Sequence, residues 1–302
     1  MKQVLKVVAG LVFVLLALLI YGVRTAEEVP ATARFQLNLA ALRTAAGPDE
    51  GLPVALRAEE VARAELPNPG VVVAGEFKDV TFGFYCWQVL WADGSSAVID
   101  AVHDRKKHQS DHAGSPYRDA GWEHQERALG AAKAIAVTHE HHDHIGGIVD
   151  SAHGGKLGPA LKLTAAQRRL PPFGGGSRAL GGDPTLASGP EGSLHVIAPG
   201  IVAVGAAGHT PGSQMIYLRL KDHRELLLIG DIAWSQANLD LARTRPRLTS
   251  LVMSEDAEAV VNQLAAILAL HRAEPAVDIV VSHDVPGMEA RFKSGAVAQG
   301  LQ

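Results

Sequence analysis

The stretch "THEHHDHIGG", residues 138–147, places four histidines, a glutamate and an aspartate in six consecutive positions, His139 to His144. It follows an apolar run, "AIAV" (134–137), and precedes Gly146 and Gly147. At an extended strand end alternate side chains point the same way, so His139 and His141 can share one metal. Asp143 and His144 follow as the chain turns and aim at a neighbouring point, and the two glycines let a helix begin without crowding the site. The motif is not H-E-x-x-H, because position 143 is Asp, so the helical zinc pair of one large protease class is missing. Four of the chain's 14 histidines fall in this window, too dense a cluster for an incidental polar loop.

Outward from the motif, three further candidates end apolar runs. They are His209 in "AAGHTPGS", Asp231 in "LLLIGD" and His283 in "VVSHD". Each reads as a loop position at a strand end, where a rigid scaffold carries chemistry. "AIAVTH" and "DIVVSH" echo each other, suggesting two strands of similar geometry that present histidines at their carboxyl ends.

The rest of the chain reads as an α/β layered architecture. "VTFGFYCWQVLW" (80–91), "ADGS" and "SAVID" (96–100) form the clearest hairpin, with the turn at Asp93-Gly94. Phe35, Leu39 and Leu42 suggest a short amphipathic helix, and "ALRAEEVARAEL" (55–66) a second helix stopped by "PNPG". A helix is expected from Ser254, as N-cap, to about Arg272. Residues 171–192, half of them Gly or Pro, read as a long loop suited to a lid.

The N-terminus stands apart. Residues 7–23 are unbroken and uncharged, between Lys2 and Lys6 before and Arg24 after. This is expected to be a single-pass transmembrane anchor, with a cleaved signal peptide and secretion as the alternative, and a buried helix as a third reading. Two lysines ahead, against Arg24, Glu27 and Glu28 behind, favour an exported catalytic body. The expected divisions are an anchor or signal at 1–24, a juxtamembrane helical section at 25–70 and a catalytic domain at 71–302. The chain's net charge is −4, and setting aside the three positive charges of residues 1–24 leaves −7, which argues against a nucleic-acid partner. The single cysteine, Cys86, excludes an intrachain disulfide framework and a Cys-rich zinc module.

Taken together, H-x-H-x-D-H, then G-H-T-P-G, a strand-end G-D and a strand-end S-H resemble the metallo-β-lactamase fold superfamily across roughly residues 71–290. The resemblance implies a four-layer αββα sandwich with the site between two sheets. It implies His139, His141 and His209 on one metal, Asp143, His144 and His283 on a second, and Asp231 bridging both. The implied cofactors are two divalent ions, with zinc expected, and Asp143 is the catalytic residue that orients the nucleophile. Asp100, ending "AVID", matches an acid that orients a ligand histidine, though a plain strand-end turn residue is an equal reading. His142 is the variable position, and His103, His108 and His112 read as solvated or substrate-facing.

Departures from the subfamilies narrow the chemistry. β-Lactamases of this fold usually carry Cys or Ser where Asp231 stands. Glyoxalase II types add a sizeable C-terminal region, whereas few residues follow His283, and flavodiiron types replace His141 with Glu. Acyl-homoserine lactonases often carry Tyr three residues after the bridging Asp, where this chain has Trp234, which has no phenol to offer. The expectation is hydrolysis of a small ester, lactone or related carbonyl substrate. Trp234 is a candidate pocket wall, and Arg245 and Arg247 are candidates for a substrate carboxylate. The rival readings are a mononuclear iron oxidoreductase of the same fold acting on a thiol-derived substrate, and a non-catalytic membrane-tethered binding module.

Overall fold

The computed structural model describes residues 2–169 and 191–302, so almost all of the loop expected at 171–192 lies outside the described residues. Among the described residues there are ten strands: β1 Ala55–Pro67, β2 Asp79–Leu90, β3 Ser96–Ile99, β4 Ala134–Ala136, β5 Leu194–Ala198, β6 Ile201–Gly205, β7 Gln214–Arg219, β8 Glu225–Leu228, β9 Val277–Val280 and β10 Ala298–Gln299. They form two mixed five-stranded sheets, ordered β10-β1-β2-β3-β4 and β5-β6-β7-β8-β9. The Asp93-Gly94 hairpin is formed, with β2 and β3 antiparallel from Trp87↔Ile99 to Leu90↔Ser96.

Strand periodicity builds the layers. Tyr85, Trp87, Ala97 and Ile99 of the first sheet pack against Ile216, Leu218, Leu226 and Leu228 of the second, in one buried cluster between the sheets. Their sequence neighbours point outward. Cys86, Val98 and Ile135 meet Leu129 and Ile145, on the helices Asp119–Ala131 and His142–Val149. Val204, Tyr217 and Leu227 meet Leu264 and Ile267, on the helix Ala257–Ala273. Both faces of the central strands are buried, which is why β2, β3, β4 and β6 to β9 read as continuous apolar runs. The result is the αββα sandwich.

Two local expectations are overturned. Residues 55–66 are not helical: β1 pairs antiparallel with β2 from Ala55↔Leu90 to Pro67↔Asp79, with a register shift between Glu60 and Ala62. Ala, Glu, Leu and Arg favour a helix, but intrinsic preference is small beside a full ladder and two-sided burial. Leu56 and Ala58 enter the inter-sheet core, and Val61, Ala62 and Ala64 a satellite cluster under β2. The expected helix around Leu39 does form, as Leu39–Ala45, and it packs with Phe35 and Leu42 on the outer face of the second sheet. The helix expected from Ser254 is capped instead by Asp256, whose side chain accepts from Ala259 N–H. Ser254 sits at φ +58 as the C-cap of the helix Arg247–Met253. This leaves Glu255 between two helices, free to serve the site.

The inter-sheet core sets the stability of this scaffold. Ile216→Ala, at a fully buried position, should cost about 2–5 kcal/mol. Urea unfolding should show a lower midpoint with an unchanged slope.

Candidate metal centre

Every candidate ligand leaves a strand end on one rim of the sandwich. β4 runs parallel to β3 and delivers His139 and His141, and β9 runs parallel to β8 and delivers His283. Asp231 follows β8, and His209 lies between β6 and β7. The helix His142–Val149 presents Asp143 and His144 from its first turn. Its glycines permit its depth: a Cβ on Gly147 would lie 2.7 Å from the Val102 carbonyl oxygen. That close seat is bonded both ways, Gly147 N–H to Ala101 O at 2.9 Å and Ala101 N–H to His144 O at 2.7 Å.

The seven side chains converge in two groups that share Asp231. In the first, His141 Nδ1 lies 3.1 Å from His139 Nε2 and 2.9 Å from His209 Nε2. Asp231 Oδ2 is 3.3 Å from His209 Nε2 and 3.7 Å from His139 Nε2. In the second, Asp231 Oδ1 is 3.3 Å from both His144 Nε2 and His283 Nε2. Asp143 Oδ2 is 3.4 Å from His144 Nε2 and 3.5 Å from His283 Nε2. Ligands about 2.0–2.1 Å from a tetrahedral zinc stand about 3.3–3.4 Å apart, and both groups sit near that spacing. His144 Nε2 and Asp231 Oδ1 are buried without a hydrogen-bond partner. Buried polar atoms are seldom left so, and a cation between them answers both.

Partners behind the ring fix which nitrogen faces inward. Asp100 Oδ2 lies 2.9 Å from His144 Nδ1, and the Asp100 carboxylate also accepts from Thr138 N–H at 2.6 Å and Thr138 Oγ1–H at 2.9 Å. His283 Nδ1–H donates to Gly83 O at 3.0 Å. Glu255 takes His209 Nδ1 and is itself held by Arg245, both members of that ion pair being almost fully buried. Each contact leaves Nε2 as the free ligand atom.

The charge states follow from burial and neighbours. Burial pushes His139 down and brings His141 to about 4, so both are neutral imidazoles at pH 7. For Asp143 and Asp231 burial acts upward, but the adjacent histidines outweigh it and hold both carboxyls well below their usual range. For His144 burial acts downward, yet Asp143, Asp231 and Asp100 together raise it well above an ordinary imidazole. A cation entering the second group therefore displaces a proton from His144.

No protein-family model and no curated protein matches the sequence. Solved structures do match. A quorum-quenching N-acyl homoserine lactone lactonase superposes with TM-score 0.61 at 14% identity, covering 83% of this chain and 99% of the other. An N-acyl homoserine lactone hydrolase, with N-hexanoyl-L-homoserine bound at its catalytic metal centre, gives 0.60 at 12% identity over 79% and 96%. A hydrolase of the β-lactamase superfamily, AbOPH, gives 0.55 at 15% over 77% and 88%. This chain has the metallo-β-lactamase fold.

Within the metallo-β-lactamase fold the remaining candidates are placed as follows. Trp234 borders a cavity of about 300 Å³ that also exposes His141, Asp143, Asp231 and His283. It does carry a donor into the site, since its Nε1–H donates to Asp231 Oδ2 at 2.7 Å. Arg245 stacks on the Trp234 ring at 4.4 Å and is committed to Glu255, while Arg247 pairs with Glu27 outside the cavity. His142 Nε2 lies 3.1 Å from Asp150 Oδ2, outside both groups. His103 and His108 are buried rather than solvated, 3.2 Å apart through Nε2 and Nδ1, around Phe84, while His103 and His112 border the same cavity as the ligands.

Sequence reasoning missed Glu255, Thr138 and Glu140. Glu140 is buried and accepts from Thr210 Oγ1–H at 2.7 Å and Gly212 N–H at 2.9 Å, lashing the His209 loop to the His139 loop. A charged residue inside the histidine cluster was the available signal. Glu255 carried none beyond its place near a helix start.

Two predictions follow from this arrangement. Glu255→Gln should weaken metal affinity about 10–100-fold. It should also destabilise the fold by about 3–5 kcal/mol, because Arg245 loses its buried partner; metal titration and chemical denaturation test the two separately. Metal affinity should rise as pH is raised, since loading expels the proton on His144. Calorimetric titration in buffers of different ionisation enthalpy would count that proton.

Proposed function

We propose that this chain is a dinuclear metallo-hydrolase, with zinc as its resident metal, cleaving a small ester, lactone or related carbonyl substrate. The carrying observation is that the second group is complete. Asp143, His144 and His283 stand at ligand spacing beside a shared Asp231, where a mononuclear iron oxidoreductase needs only the first. Bound there, two divalent ions would supply a water-derived nucleophile at neutral pH and polarise the substrate's acyl oxygen.

The protein's own residues complete the chemistry. Asp143 commits Oδ2 to the second group and borders the cavity, so its carboxylate is placed to take a proton from the attacking water and return it to the leaving oxygen. Asp231, held by the Trp234 indole, keeps the two groups at one separation. Phe82, Phe84 and Trp234 give the cavity an apolar, aromatic wall, suited to the non-reacting part of a small organic substrate. The ring-opened product of lactone hydrolysis bound by one structural neighbour supports this substrate class.

The helix Lys2–Arg24 contains a span, Gln3–Arg24, long and apolar enough to cross a membrane, and its apolar window is unburied. In our reading it is an uncleaved anchor holding the catalytic body on the exported side.

The purified full chain should contain two metal ions, and chelation should abolish ester and lactone hydrolysis, with Zn²⁺ restoring it. Asp143→Asn should lower kcat by about 10²–10⁴-fold. One iron per chain with oxygen uptake, or hydrolysis surviving complete metal removal, would overturn the proposal.

A further inference from the structure

Outside the apolar helix, the three most exposed large hydrophobic residues among those described are Phe77 (84%), Leu251 (75%) and Val252 (69%). All three stand at the foot of that helix. The Arg24 guanidinium lies over the Phe77 ring at 5.6 Å. Leu251 and Val252 belong to the helix Arg247–Met253, which packs directly on the apolar helix. A Cβ on Gly22 would sit 3.2 Å from Leu248 Cβ, so the glycine sets a close crossing. Arg247 seals the junction: its N–H donates to Thr25 O at 2.8 Å, its side chain pairs with Glu27, and its guanidinium lies 5.9 Å from the Tyr21 ring centre.

This composition belongs to a membrane boundary. An apolar span of some 22 residues is about 33 Å long, enough to cross the hydrocarbon core. It ends in Tyr21 and Arg24, with Arg247 of the packed helix beside Tyr21, residue types that settle at the headgroup level. Large exposed apolar side chains beside such a span mark an interaction surface that a lipid boundary would cover.

Resting on the reading of Lys2–Arg24 as an uncleaved anchor, we propose that Phe77, Leu251 and Val252 form a docking surface for the lipid bilayer. They seat the catalytic body on the same membrane that the helix crosses. The next residue, Met253, lines the cavity over His141, Asp143 and Asp231. Docking thus brings one wall of the cavity to the headgroup level and holds the body in one orientation, where a free tether would let it tumble.

The test uses the full chain with the buried Cys86 replaced by serine. Single nitroxide labels are placed at positions 77, 251 and 252, with one at Val12 inside the anchor and one at Asp222. Asp222 lies in the turn between β7 and β8, at the end of the sheet away from the metal ligands. The protein is reconstituted in vesicles of phosphatidylethanolamine and phosphatidylglycerol. Collision with lipid-soluble oxygen is compared with collision with a water-soluble nickel chelate. The expected result is an oxygen-to-nickel ratio at 77, 251 and 252 several-fold above that at 222 and approaching that at 12. A lipid-like ratio at 12 with water-like ratios at 77, 251 and 252 would overturn the docking surface while leaving the anchor standing. A water-like ratio at 12 would overturn the anchor, and the docking with it.

Discussion

One carboxylate ties the molecule together. Asp231 turns Oδ2 toward His139 and His209 and Oδ1 toward His144 and His283, so loops from both sheets meet on a single side chain. Asp100, Asp143, Asp231 and Glu255 crowd a largely buried volume. Packing that many acids out of water is tolerable only with positive charge among them. Part of that charge is fixed on Arg245, which with the hydrogen bond from His209 holds Glu255 at about 2 against the upward pull of burial. The remainder falls to a proton on His144 or to cations, and the spacing of the nitrogens suits cations.

The two sheets solve the same problem twice. In each, the strand nearest the site runs parallel to its neighbour, β4 beside β3 and β9 beside β8. An acid follows the inner strand of each pair, Asp100 after β3 and Asp231 after β8, and a hydroxyl-histidine dipeptide follows the outer strand. The echo between "AIAVTH" and "DIVVSH" is therefore a repeated local geometry. The acids nonetheless differ in duty: Asp100, at φ +55, sits behind His144, while Asp231 stands between the two groups.

A second economy lies in the elements around the foot of the apolar helix. Arg245, Arg247 and Met253 fall within nine residues of chain. Arg245 holds Glu255 and so steadies His209; Arg247 ties the body to the segment following the apolar helix; Met253 borders the cavity. Each arginine has an acid of this chain as its partner, Glu255 for Arg245 and Glu27 for Arg247. Arginine is suited to such a task, with a planar guanidinium that can pair and stack at once, as Arg245 does on Trp234.

By itself the sequence determined the layered α/β class, the Asp93-Gly94 hairpin, the apolar N-terminal helix and the seven side chains that converge. Those signals are local: apolar runs of strand length, a turn dipeptide, and residue types whose chemistry is rare outside metal sites. Only the tertiary structure decided that residues 55–66 are a strand, since their helical preference yields to a ladder with β2 that no local pattern records. Tertiary structure alone also chose Glu255 for His209, set Trp234's indole on Asp231, buried His103 and His108, and brought Phe77 and the helix carrying Leu251 and Val252 each against the apolar helix. Each of these depends on which distant surfaces meet, and that is governed by the packing of whole layers, which sequence spacing does not encode.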